Sequence, residues 1–160
     1  MKILIYTFDV WNNIAFKVLK DLDITSVPVV KKFIWGNRRG AEALTNFIVK
    51  NKFTHILGLG DYRKNAKRIR IEGRFINKYG RSKIDIKGKY SYKSTWDLPI
   101  LENMYISDKP SNGPCNRSGY LLAQAIEMED LDTKLGFVHI PRKFEKGYFN
   151  RIQKIISNWI

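Results

Sequence analysis

The chain has a single cysteine, Cys115, so no disulfide can form within it. That suits a reducing compartment, and a cytoplasmic location is expected. It has only two histidines, His55 and His139. No zinc-finger spacing is present. No apolar run approaches the roughly 20 residues that span a bilayer. The first apolar stretch, Lys2-Ile3-Leu4-Ile5-Tyr6, is too short and too early for the core of a signal peptide. A soluble protein without membrane partners is the expectation. Repeats, linkers and low-complexity segments are also missing. A single domain over residues 1–160 follows, since that length can enclose a real core.

Acidic residues are scarce as well. Fifteen Asp and Glu face 29 Lys and Arg, for a net charge of +14. Such a balance attracts polyanions. The basic residues are scattered, however, and the densest group is Arg63-Lys64, Lys67-Arg68 and Arg70. No RNA-recognition aromatic motif accompanies it. A nucleic-acid partner is therefore the weaker expectation, and a solvated basic surface the stronger one.

Hydrophobic residues make up 44% of the chain and aromatics 13%, so a folded core is expected. Ile3 to Phe8 has the length and character of a strand. Ile14, Val18 and Leu22 recur at helical spacing, with Asn12 or Asn13 as the cap. Val27 to Val30 reads as a second strand, Gly40 to Lys50 as a second helix, and His55 to Gly60 as a third strand ending in a glycine turn. Residues 70–77 read as extended. Arg81 to Lys87 alternates polar and apolar residues, which predicts a half-exposed strand. A short strand near Met104-Tyr105-Ile106 precedes a helix beginning near Cys115. The His139 strand follows, and Tyr148, Ile152, Ile155 and Trp159 share one face of a last helix. Helices alternating with short apolar strands predict a three-layer α/β/α sandwich around a mostly parallel twisted sheet. Functional groups of such folds gather at the carboxyl ends of strands.

Cys115 follows Asn112-Gly113-Pro114 at the start of its helix. A thiol there meets the positive end of the helix dipole and unsatisfied N–H groups, which favours thiolate. Backbone N–H groups of the Gly113-Pro114 turn are candidates for an oxyanion hole. A nucleophilic cysteine needs a base, and only His55 and His139 are available. His139 lies near a strand end, whereas His55 starts a strand and reads as structural. Glu72, after Ile69-Arg70-Ile71, is a candidate to orient the imidazole. Phe8 and Trp11 flank the turn after the first strand and are suited to clamp a small flat ring. Each of these residues also has an ordinary packing or surface role open to it.

Several motifs together resemble the pyroglutamyl peptidase I (pyrrolidone carboxyl peptidase) family, over nearly the whole chain. Gly136-Phe137-Val138-His139-Ile140-Pro141 is similar to the family's Gly-Phe-Ile-His-Val-Pro. Gly58-Leu59-Gly60 and Glu72-Gly73-Arg74-Phe75-Ile76-Asn77 resemble its Gly-Leu-Gly and Glu-Arg-x-Ala-x-Asn. Cys115-Asn116 resembles its Cys-Asn pair, and Val27-Pro28-Val29 its Leu-Pro-Val. The resemblance implies Cys115 as nucleophile, His139 as base and Glu72 as orienting carboxylate. It implies Phe8 and Trp11 as the aromatics around a pyroglutamyl ring. Asp61 stands where the family has a Gln, and Arg81 and Asp85 loosely match an Arg and an Asp after the Glu motif, Arg81 being a candidate at the oxyanion. A cysteine exopeptidase acting on N-terminally blocked peptides is implied, with self-association possible and no cofactor. The first motif departs from the family. Val10-Trp11-Asn12-Asn13 lacks its Pro and both glycines. A drifted substrate pocket, or a silent site, is the alternative. A second alignment puts Ala123 at the nucleophile; the Cys-Asn pair and the spacing to His139 favour Cys115.

Overall fold

The structure is a computed structural model. It describes every residue except 26, 63–65, 143–145 and 159–160, and only the backbone at 146–148. Arg63, Lys64 and Trp159, and the side chain of Tyr148, therefore lie outside the described residues.

Six strands form the main sheet: β1 (Ile3–Phe8), β2 (Val29–Ile34), β3 (His55–Tyr62), β4 (Ile69–Glu72), β7 (Met104–Ser107) and β8 (Lys134–Pro141). Their order is β2-β1-β3-β8-β4-β7. The first four run parallel to one another, and β4 pairs antiparallel with β8 and parallel with β7. A two-stranded ribbon, β5 (Arg74–Ile76) with β6 (Ser91–Lys93), lies beside it. The helices are α1 (Ile14–Asp21), α2 (Arg38–Asn51), α3 (Pro114–Met128) and α4 (Lys146–Ser157).

Alternation along the strands sorts the core into two layers. Ile3, Ile5, Leu57, Leu59, Val138 and Ile140 pack with Val18 and Leu19 of α1 and with Ile152 and Ile155 of α4. Leu4, Tyr6, Phe8, Ile56 and Phe137 face the other way, onto Leu44 and Ile48 of α2 and Tyr120, Leu122 and Ile126 of α3. The result is the expected α/β/α sandwich around a mostly parallel sheet.

Two local expectations fail, each for a physical reason. The glycines at 58 and 60 do not end the third strand in a turn, because β3 continues to Tyr62. They are needed inside the strand. A Cβ at Gly58 would come within 2.1 Å of Phe137, and one at Gly60 within 2.9 Å of Cys115 Sγ. Residues 81–87 are not a strand either. The side chain of Asn77 takes the place of a neighbouring strand: its Oδ1 accepts from the N–H groups of Ile84 and Asp85, both at 2.9 Å, and its Nδ2 donates to the carbonyls of Asp85 at 2.6 Å and Gly88 at 3.1 Å. The loop so held buries Ile84, 6% exposed, and leaves Ile86 84% exposed, although strict alternation would place both on one face.

The start of α3 sets the site. Gly113 precedes it with φ at 111°, a region open to glycine, and Pro114 occupies the first turn, where its missing N–H costs nothing. Asn116 then locks the helix to β5: its Oδ1 accepts from Ile76 N–H at 2.9 Å, and its Nδ2 donates to the carbonyls of Ile76 at 2.9 Å and Lys78 at 2.8 Å. Gly119, one turn on, lets Phe75 pack against the helix backbone, where a Cβ would come within 2.2 Å of the ring. Ala123 is buried in the core two turns into α3, on the layer that packs against the sheet.

Candidate active site

Register brings the chemistry together. Gly60 on β3 and Arg70 on β4 both pair with His139 on β8, from its two sides. Side chains at 70 and 72 share a face of β4. That face also carries Gly60 and His139, and α3 covers it, so the Cys115 side chain comes down on Gly60.

His139 and Glu72 form a tight buried pair, with Nε2 2.6 Å from Glu72 Oε1 and side chains 4% and 1% exposed. The second carboxylate oxygen, Oε2, accepts from Arg70 Nη2 at 3.2 Å and from the Ser111 N–H at 3.3 Å. The other ring nitrogen of His139, Nδ1, lies 3.2 Å from the carbonyl oxygen of Asp61. Both ring nitrogens thus face oxygen acceptors: with Nε2–H donated to Glu72, a proton carried on Nδ1 is held by the Asp61 carbonyl.

Cys115 is half-buried. It shares the wall of one open cavity of about 610 Å³ with Asp61, Tyr62, Arg70, Ser111 and His139. Its thiol does not behave as the helix-start position predicts. Burial, followed by the charge of Glu72, pushes it up to about 12, and Asp61 adds to this. The Cys115 backbone N–H and the Arg70 guanidinium pull the other way and do not prevail. Desolvation of a half-buried thiol beside a carboxylate outweighs a helix dipole that acts only within its first turn. Burial and the neighbouring carboxylates thus favour the thiol form of Cys115.

The other expected residues are less gathered. Asp61 lines the cavity, but its Oδ1 accepts the Ala15 N–H at 3.0 Å and thereby caps α1, whose Asn13 makes no side-chain cap bond. Arg142 Nε stands 3.8 Å from Asp61 Oδ2. Phe8 is 7% exposed and packs edge-on against Tyr6, with ring centroids 6.5 Å apart, inside the core. Trp11 is 77% exposed on the loop after β1. Arg81 is exposed in the turn between Tyr79 and Ser82, and Asp85 accepts from Gln124 at 2.6 Å instead of facing the cavity. Gly113 and Pro114 shape the entry of α3. Since Pro114 has no N–H, the free donors of that first turn are those of Cys115 and Asn116. Among the described residues, no group of three His, Cys, Asp or Glu side chains is placed to hold a metal ion. No helix among them is long and apolar enough to cross a membrane.

Sequence reasoning placed Arg70 in a basic cluster and as a surface partner of Glu72, and passed over Ser111 and Tyr62. The signal for Arg70 was present: it sits two positions before Glu72 on a strand, hence on the same face. Ser111 and Tyr62 join the site through a loop and a strand extension that periodicity does not mark.

The class of fold is a three-layer α/β/α sandwich around a mostly parallel sheet. This is the fold of the pyrrolidone carboxyl peptidases. Pyroglutamyl peptidase I from Bacillus amyloliquefaciens matches with a TM-score of 0.80, over 98% of this chain and 91% of that one, at 18% identity. A mutant pyrrolidone carboxyl peptidase from Pyrococcus furiosus matches with a TM-score of 0.77 over 98% and 95%, at 18% identity. Pyrrolidone carboxyl peptidase from Thermococcus litoralis matches with 0.74 over 88% and 76%, at 19% identity. No family model matches the sequence, and no curated protein matches it.

Proposed function

We propose that this protein is a cysteine exopeptidase that removes pyroglutamate from the N-terminus of peptides. One observation carries the reading: His139, backed by the buried Glu72, and Cys115 line one cavity, on a fold shared with pyroglutamyl peptidases. His139 Nδ1 takes the Cys115 proton as sulfur attacks the pyroglutamyl carbonyl carbon. The Asp61 carbonyl, 3.2 Å from Nδ1, then accepts the new N–H. The tetrahedral oxyanion meets the Cys115 backbone N–H at the head of α3. The C–N bond breaks, the amine leaves with the proton from Nδ1, and a thioester remains. Water gives a proton to Nδ1, attacks the thioester and releases pyroglutamate, and the sulfur recovers its proton. Glu72 keeps Nε2–H in place throughout and stabilises the imidazolium that forms when Nδ1 takes the proton.

A second reading has its own support. Phe8 lies in the core and Trp11 points to solvent, so the two aromatics do not form a closed ring pocket. The acyl group accepted would then be another small N-acyl group. A fluorogenic pyroglutamyl amide, set beside N-acetyl and prolyl amides, tests both. Cleavage of the pyroglutamyl amide that Cys115→Ala abolishes is expected. Cleavage of a different acyl amide would select the second reading, and a folded wild type inert to all of them would reject the peptidase.

A further inference from the structure

Arg70 is a basic group placed unlike a surface arginine. It is directly opposite His139 across the β4–β8 pairing, and its side chain is 11% exposed. Its Nη2 binds Glu72 Oε2 at 3.2 Å and also donates to the carbonyl of Lys109, in the loop that leads to Cys115. The guanidinium lies 5.7 Å from the centre of the Tyr62 ring, and its Nε is buried without a hydrogen-bond partner. Arg74 and Arg117 leave a buried Nε in the same state, so what sets Arg70 apart is its contact with Glu72.

We propose that Arg70 is a positioning residue of this site, clamping the outer oxygen of Glu72 so that the inner oxygen is held on His139, and bringing a buried cation to the Cys115 cavity. The proposal rests on the reading of Cys115 as nucleophile and His139 as base. Without Arg70, Oε2 keeps only the Ser111 N–H among the described residues, and the carboxylate is freer to turn from the imidazole. The charges around the thiol make the second role plain. Glu72 from β4 and Asp61 from β3 oppose a thiolate at Cys115, whereas Arg70 favours it. His139 from β8 receives the proton, and Arg142 at the rim is mostly exposed and turned to Asp61. Arg70 is therefore the buried positive charge that offsets the two carboxylates when sulfur loses its proton.

The test measures iodoacetamide alkylation of Cys115 from pH 7 to 11 and kcat and KM on the pyroglutamyl amide, in wild type, Arg70→Met and Arg70→Lys, with thermal melting of each. For Arg70→Met the expected result is alkylation about tenfold slower at each pH, a profile displaced to higher pH, and kcat lower by about 10²-fold at nearly unchanged KM. Arg70→Lys should restore the alkylation profile but only part of kcat, because an ammonium is a poor substitute for a fork reaching Glu72 and the Lys109 carbonyl. Alkylation of a folded Arg70→Met at the wild-type rate would overturn the proposal. If that variant does not fold, wild-type kcat in Arg70→Lys would overturn it. If wild type cleaves no pyroglutamyl amide, the alkylation profiles alone decide the role of Arg70, separately from the substrate.

Discussion

The two sides of the cavity are built by different means. One side is sheet: Glu72 and His139 project from paired inner strands, both nearly solvent-free, and their bonded partners are Arg70, Ser111 and the Asp61 carbonyl. The other side is loop: Pro110, Ser111 and Asn112, in the segment that leads into α3. Strand register holds the first side to a fraction of an ångström, and changing it would turn side chains to the opposite face. Nothing comparable constrains the second, where loops tolerate substitution. The sheet side can therefore keep its register at about one residue in five identical to the solved peptidases, while the loop side is free to differ. The departures of this sequence from the peptidase motifs fall mainly where that difference allows them.

The strongest way to break the comparison is to cut the sheet side at Glu72. Glu72→Gln keeps the shape but can present its NH₂ group to His139 and stabilises an imidazolium poorly. Loss of roughly 10²- to 10⁴-fold in kcat/KM on the cleaved acyl amide is expected, with the fold retained. Glu72→Ala goes further and leaves the buried Arg70 guanidinium uncompensated, a change that costs about 3–5 kcal/mol. Steady-state kinetics and denaturant melts of the two variants check this. Equal kinetic loss without any loss of stability in Glu72→Ala would show that Arg70 and Glu72 are not a tight pair.

A second test concerns the thiol, where the two sides meet. In the folded protein Cys115 keeps its proton up to about 12, against an ordinary 9.0. Between those values the unfolded chain has lost the proton and the native chain has not. Unfolding then releases protons, so stability falls as pH rises, by up to about 1.4 kcal/mol per pH unit from this group. Below pH 9 both states hold the proton and the group contributes no slope. Tyr6, whose buried hydroxyl is also pushed up, adds to the fall in the same direction. The difference between wild type and Cys115→Ala isolates the cysteine. Melts from pH 8 to 11 should show wild type losing stability faster above pH 9 than the alanine variant, and parallel curves would contradict the raised thiol.

How far the sequence revealed this follows from the same division. The strand over Ile3 to Phe8 was legible residue for residue because it is buried on both faces and bounded by polar positions. Cys115, His139 and Glu72, the residues proposed for the chemistry, stood out in the sequence because each sits in a short motif tied to a strand or helix end. The strand expected over Arg81 to Lys87 failed because one distant amide, Asn77, captures that backbone, and periodicity carries no trace of it. The thiolate expected at Cys115 failed because a helix dipole is visible in sequence while burial beside Glu72 is not. Phe8 illustrates the limit most plainly. Its aromatic type suggested a substrate wall, but strand alternation places it with Leu4 and Tyr6 under α2 and α3.

That contrast between Phe8 and Trp11 gives the smallest expected effect and the finest test. Phe8 is core, so Phe8→Ala should lower stability by about 3–5 kcal/mol through the cavity it leaves. Trp11 is 77% exposed, so Trp11→Ala should change stability by no more than about 0.5 kcal/mol. If the loop after β1 contributes to recognition, the Trp11 variant raises KM for the cleaved acyl amide several-fold and leaves kcat alone, the signature of binding made equally in ground and transition states. A drop in kcat at constant KM would mean that Trp11 reaches the reacting atoms, and the separation between a sheet-built chemical side and a loop-built recognition side would not hold. Melting curves taken beside the kinetics distinguish these outcomes, because a Trp11 side chain that packed into the core would shift the melting temperature before it shifted KM.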